Sequence, residues 1–194
     1  MTCSVHGCKM DMAALALIIS ADGTLSEFVF CKDHTSRLPM DYLIPDAERL
    51  RTVTLGDSYE DCFLHAVFLE YEQDRFTVVL RGKETGAVFV IQTGYIEATL
   101  IRGYARKIPY TNPLTHELIL DVMNQIGGVV SEAVVNVYDA KDDSYRCYLA
   151  IETAGELVKV KCRISDAVCI SLCAGVPVRI DRAFLGKDLT SSEL

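Results

Sequence analysis

Half of the 194 residues are hydrophobic, 24% are charged and the net charge is −8, which provides for one core of about 120–150 residues plus a small accessory module. Only 12 glycines and 5 prolines are present, so disordered and collagen-like chains are excluded. The longest apolar stretches, Ala13 to Ile19 and Ala167 to Val178, the second broken by Ser171 and Gly175, are too short for a membrane span of roughly 20 residues. Met1 to His6 carries no basic run, and Asp11 precedes the first apolar stretch. A signal peptide is therefore not expected, and the chain reads as cytoplasmic with no membrane partner. Its eight cysteines are then expected to be reduced. Residues 1–61 hold 5 Lys/Arg against 10 Asp/Glu, and residues 62–194 hold 14 against 17. An extensive phosphate-binding surface is absent from this balance, with Arg102, Arg106 and Lys107 the densest local cations.

The first 34 residues hold Cys3, Cys8 and Cys31 together with His6 and His34. Between the pairs Cys3-x4-Cys8 and Cys31-x2-His34, the runs Ala13 to Ser20 and Thr24 to Phe30 are joined by Ala21-Asp22-Gly23, the composition of a hairpin. Folding that hairpin brings the two pairs together. Three thiolates and one imidazole form a closed tetrahedral set, the usual structural zinc site, and metal would supply much of the folding free energy of so short a segment. Cys3-x2-His6 is an alternative pair. The set Cys3, Cys8, Cys31 and His34 is preferred because Cys-x4-Cys before a hairpin and Cys-x2-His after it resembles the zinc-knuckle hairpins at the N-termini of several bacterial proteins. The stretch that follows contains Pro39, Pro45 and the acids Asp41, Asp46, Glu48, Asp57, Glu60 and Asp61. It reads as a linker with one helical turn around Asp46 to Leu50. The expected division is a zinc hairpin over 1–40, an acidic linker over 41–61, a main domain over 62–185 and a tail over 186–194.

In the main domain, Phe63 to Glu70, Phe76 to Leu80 and Ala87 to Ile91 read as three antiparallel strands separated by turn-forming residues. A first helix is expected from a Gly94 cap to about Arg106, with Ile96, Leu100 and Ile101 on one face. A second starts at Asn112-Pro113, with Asn as cap and Pro at the first helical position, and ends at Gly127-Gly128. Strands are expected over Val129 to Tyr138, Tyr145 to Glu152 and Leu157 to Cys162. A third helix runs from a Ser165 cap to Gly175, and Val176 to Ile180 is a last short strand. Strand runs alternating with helix runs through hairpin-length connections give an α+β fold, mainly antiparallel, with about three helices.

No phosphate-binding glycine loop or Gly-x-Ser-x-Gly elbow is present. Cys169 and Cys173 lie one helical turn apart among apolar residues and read as core, which argues against a thiol nucleophile. The remaining polar candidates, Glu97, Thr115, His116, Glu117, Arg163, Ser165 and Asp166, cluster at helix starts, where each can also serve the helix as a cap or dipole partner.

Three segments, Gly94-Tyr95-Ile96-Glu97-Ala98, Asn112-Pro113-Leu114-Thr115-His116-Glu117-Leu118 and Arg163-Ile164-Ser165-Asp166-Ala167, resemble in order and spacing the bifunctional nuclease domain family over roughly residues 62–185. The second matches the family's Pro-Leu-Thr-His-Asp/Glu-Leu-Leu closely; in the third, Ile164 stands where the family has proline. The resemblance implies an α+β unit that self-associates, expected here as a dimer, and nuclease activity on RNA and DNA. Such chemistry needs an activated water and a stabilised pentacoordinate phosphate, commonly through divalent metal on carboxylates. Glu97, Glu117 and Asp166 are then the expected holders of Mg²⁺ or Mn²⁺, His116 the general base and Arg163 the phosphate contact. The alternative is a non-enzymatic dimeric binding or regulatory module whose motif residues stabilise helix ends and an interface.

Overall fold

Alternation of side chains along a strand lets one sheet feed two apolar layers. Leu15 and Leu17, Val67 and Leu69, and Val78 and Leu80 join one buried cluster, while the intervening Ala16, Ala66, Phe68 and Val79 join a second, smaller one. The larger layer lies against the helices. In the computed structural model, residues 1–5, 7–20, 22–35, 58–72, 74–139 and 144–186 are described. His6, the linker through Asp57 with its expected helical turn, Asp142 and Asp143, and residues 187–194 lie outside them.

The described strands are β1 (Ala14–Ile19), β2 (Leu25–Phe30), β3 (Tyr59–Glu70), β4 (Arg75–Gly82), β5 (Val88–Thr93), β6 (Gly128–Asp139), β7 (Ser144–Thr153), β8 (Glu156–Cys162) and β9 (Val178–Asp181). The helices are α1 (Lys32–Thr35), α2 (Tyr95–Ala105), α3 (Thr115–Gln125) and α4 (Ile164–Ala174), and a 3-10 turn (Arg182–Phe184) follows β9. All nine strands form one sheet in the order β2-β1-β3-β9-β6-β7-β8, with β4 on the other edge of β3 and β5 beyond it. The pairings are antiparallel except β6 with β9. The fold is α+β, as expected from the sequence.

Long β3 organises this sheet. Its first residues, Tyr59 to Cys62, pair with β9, and Ala66 to Glu70 pair with β1, so the N-terminal hairpin continues the main sheet. Glu60, within the acidic stretch read as linker, is 2% exposed. Its carboxylate accepts hydrogen bonds from the backbone N–H groups of Glu84 and Thr85 at 2.8 and 2.7 Å and from the Thr85 hydroxyl. A buried carboxylate is tolerated when its oxygens are satisfied in this way, and here it pins the β4–β5 turn.

Two helix starts differ from the sequence reading. Helix α3 begins at Thr115 with Leu114 as its cap residue, two residues after the expected Pro113. The Leu114 N–H is satisfied by Glu117 Oε2 at 2.8 Å, so the capping bond comes from inside the helix rather than from Asn112. Helix α4 begins at Ile164 with Arg163 as its cap residue. Ser165 is helical and buried, so it is not the cap. Gly175 closes α4 in the left-handed conformation at φ 71°, the backbone state that glycine adopts without steric cost. Short α1, which carries His34, was not expected.

Candidate functional site

Helices α2 and α4 pack against each other and α3 packs on α4, which brings the first turns of all three helices together above the sheet. Buried Ala98, Ile101 and Tyr104 seat α2, and Ala167, Val168, Cys169 and Ile170 seat α4. These apolar faces leave the polar first-turn residues at a shared margin. There, Arg163 Nε and Nη2 donate to the two Asp166 oxygens at 2.8 and 3.0 Å, a fork geometry suited to guanidinium and carboxylate. Arg163 Nη1 donates to Glu97 Oε1 at 3.3 Å. His116, 8% exposed, places Nε2 3.4 Å from Asp166 Oδ1 and Nδ1 3.3 Å from the Tyr104 hydroxyl.

Four of the five expected catalytic residues, Glu97, His116, Arg163 and Asp166, therefore meet. Glu117 is the fifth, and its carboxylate turns back to the Leu114 N–H, fixing the start of the helix that carries His116. Tyr104 was missed. Its one sequence signal is its position seven residues after Glu97, two helical turns along the same face. Burial raises its hydroxyl pKa, keeping it a neutral hydrogen-bonding group.

Asp166 and Arg163 hold each other in their charged forms. The hydrogen bond from Arg163 pulls the Asp166 carboxyl below its usual range, against the opposing effect of burial, with His116 adding to the same direction. Arg163 is itself held more firmly protonated by Asp166. Burial pushes the Cys169 thiol up to about 12 and the Cys173 thiol to about 11, so neither supplies a thiolate near neutral pH. Arg102 donates to Glu27 of β2 at 2.7 Å, and Arg106 lies 3.2 Å from the same carboxylate. The hairpin thus occupies two of the three expected cations, leaving Lys107 with α2's C-terminal turn.

At the N-terminus, the Cys3, Cys8 and Cys31 sulfurs and a His34 ring nitrogen all lie within 4.8 Å of one another. Cys3 Sγ and Cys31 Sγ are each 3.3 Å from His34 Nδ1, and Cys8 Sγ is 3.7 Å from Cys31 Sγ. A tetrahedral ion with bonds of ~2.3 Å to sulfur and ~2.1 Å to nitrogen needs edges of about 3.8 and 3.6 Å. The donor set and spacing fit such an ion. Desolvation tends to raise the Cys3 thiol pKa, but the Val5 and Cys31 backbone and the His34 and Cys8 side chains outweigh it and bring the value to about 6.

Residues 78–193 match the family described as Bifunctional nuclease domain, more than half of the chain, and the chain belongs to that family. It is also 29% identical over 119 residues to two curated proteins of Mycobacterium tuberculosis, uncharacterized protein MT1877 of strain CDC 1551 / Oshkosh and uncharacterized protein Rv1829 of strain ATCC 25618 / H37Rv. Each alignment covers 61% of this chain and 70% of the relative. Among the described residues, no helix is long and apolar enough to cross a membrane.

The depressed Asp166 pKa has a definite sign in stability. Its contribution is complete above the unfolded value near pH ~3.9 and is lost as pH falls through the lower folded value. Urea unfolding midpoints should therefore drop below about pH 4, and Asp166→Asn should flatten that part of the profile. An unchanged acid limb in Asp166→Asn would contradict the assignment.

Proposed function

We propose that the protein is a metal-dependent nuclease hydrolysing RNA or DNA phosphodiester bonds at the cluster of Glu97, His116, Arg163 and Asp166. The observation that carries this reading is the meeting of these side chains, drawn from three separate helix starts, in a chain of this family. Glu97 and Asp166 offer an all-oxygen donor set of the kind Mg²⁺ and Mn²⁺ take. Bound there, such an ion would polarise the phosphate and make water more acidic.

The remaining chemistry belongs to the chain. With the Tyr104 hydroxyl accepting from Nδ1–H, His116 takes the proton of the attacking water at Nε2, the ring nitrogen that faces Asp166 Oδ1. Asp166, 3.4 Å away, stabilises the imidazolium that forms. As the P–O bond to the leaving oxygen breaks, that proton passes to the departing alkoxide. The Arg163 side chain is 69% exposed, and it can turn from the carboxylates to neutralise the phosphoryl oxygens. Glu117 acts as a positioning residue through its bond to Leu114. Cleavage should require divalent metal and fall by roughly 10²–10⁴ in Asp166→Asn or His116→Ala of unchanged fold. The alternative, a non-enzymatic binding or regulatory module, takes support from Arg163 already satisfying both acids. That reading replaces ours if the purified protein cuts neither RNA nor DNA with Mg²⁺ or Mn²⁺.

The Cys3, Cys8, Cys31 and His34 set is proposed to hold one structural zinc, in a module over 1–40 ahead of the catalytic unit over 62–185. Protein purified without chelator should carry about one zinc per chain. No zinc, with residues 1–34 folded identically in chelator, would rule this out. A cytoplasmic home follows from the reduced thiols such a site requires.

Self-association as a homodimer is the third element of the proposal. Leu157, Val158 and Val160 on edge strand β8 and Leu118, Val122 and Ile126 on α3 are exposed, more apolar surface than isolated residues provide. Light scattering at tens of micromolar should return twice the chain mass, and a strictly monomeric mass would count against it.

A further inference from the structure

Beside the reacting cluster lies a cleft of about 680 Å³, bounded by the loop after α2, one face of α3 and the last turn of α4. That volume falls within the range of ~300–1,000 Å³ typical of small-ligand sites. Tyr104 joins the two places, since it lines the cleft while its hydroxyl lies 3.3 Å from His116 Nδ1. Whatever occupies the cleft is thereby one residue from the group proposed to move the proton.

The cleft's chemistry is mixed in a way that suits a nucleotide. Leu120 and Leu172 supply apolar surface backed by the main core. Tyr110 supplies an aromatic wall held in place from behind, because its hydroxyl sits where a side chain at Gly103 would begin, 2.6 Å from that position. Asp121 and Asn124, exposed on the same α3 face, offer hydrogen-bonding groups for a base edge. Lys107 is the cation among the described lining residues.

Lys107 also holds an uncommon backbone state. Helix α2 ends with Ile108 N–H donating to the Gly103 carbonyl at 3.2 Å and Lys107 N–H to the Tyr104 carbonyl at 2.9 Å. This closing motif places its penultimate residue in the left-handed region, where glycine is the usual choice. Here it is lysine at φ 51°. A side chain kept where glycine would relieve strain points to a use for that side chain.

Resting on the nuclease reading for its substrate class, we propose that this cleft is the subsite for one unpaired nucleotide adjoining the scissile phosphate. Lys107 contacts the neighbouring phosphate, the Tyr110 ring faces the base, and Asp121 and Asn124 meet the base edge. A paired and stacked base cannot enter such a cleft, so the preferred substrate is a single strand or an extruded nucleotide.

The test is fluorescence anisotropy with a labelled single-stranded DNA 12-mer and the matching duplex, without added divalent metal, on the full chain and on Lys107→Gly and Asn124→Ala. The wild type should bind the single strand about tenfold more tightly than the duplex. Lys107→Gly should weaken single-strand binding several-fold and lower the salt slope by roughly 0.7, while its melting temperature stays equal or rises. Asn124→Ala should weaken binding with the slope unchanged. Wild-type affinity and slope in Lys107→Gly, equal affinity for strand and duplex, or no binding by the wild type would each overturn the subsite. A wild type that cleaves while both variants bind and cleave normally removes the subsite and leaves the nuclease reading intact. Lys107-dependent binding without cleavage removes the nuclease reading and leaves the subsite.

Discussion

A single guanidinium, that of Arg163, holds together the carboxylates of two helices, Glu97 from α2 and Asp166 from α4. His116 from α3 attaches to the same assembly through Asp166. With Arg163 69% exposed, solvent screening limits what these pairs add to stability. The helices are instead fixed by the apolar residues beneath, above all Ala98, Ile101, Ala167, Val168 and Ile170. The polar groups are thus delivered to one another by packing, and the most exposed member is the cation suited to phosphate. That division of labour between a rigid floor and one adaptable charge fits a site that exchanges an internal ion pair for a charged ligand.

The N-terminal hairpin is tied to the same scaffold at two places. Strand β1 pairs with β3, and Glu27 of β2 holds Arg102 of α2 and Arg106, the residue that caps it. Its open end is gathered by the Cys3, Cys8, Cys31 and His34 cluster. Strands β2, β5 and β8 are edges of the sheet, and exposed edges invite unwanted pairing. The cluster fastens the segments flanking the first edge, whereas β8 lacks such a fastening among the described residues and carries exposed Leu157, Val158 and Val160.

Most strands were legible because their alternation and turn residues are local. The sheet's continuity was not, since the pairing of β1 with β3 and of β6 with β9 joins residues far apart in sequence. Glu60 shows the limit most clearly: acidic composition reads as linker, yet its partners, the Thr85 hydroxyl and two turn amides, come from another hairpin. Helix starts were misplaced for a related reason. Asn112-Pro113 has the right chemistry for a cap, but Glu117 satisfies Leu114 from within the helix. Of the candidate site, Glu97, His116, Arg163 and Asp166 were singled out through their motifs, whereas Tyr104 carries no motif and enters through its contact with His116. The cysteine and histidine cluster needed only ligand spacing around a hairpin, and its four side chains do converge.

Under the proposed function, the Glu97 and Asp166 carboxylates bind a divalent ion beside His116. Paramagnetic broadening by Mn²⁺ in ¹⁵N-resolved NMR spectra of the full chain tests it most directly. Sub-stoichiometric Mn²⁺ should broaden the amides of residues 94–98, 115–117 and 164–167 first, and Asp166→Asn should abolish the effect there. Broadening confined to other surface acids, or equal in wild type and Asp166→Asn, would contradict the account.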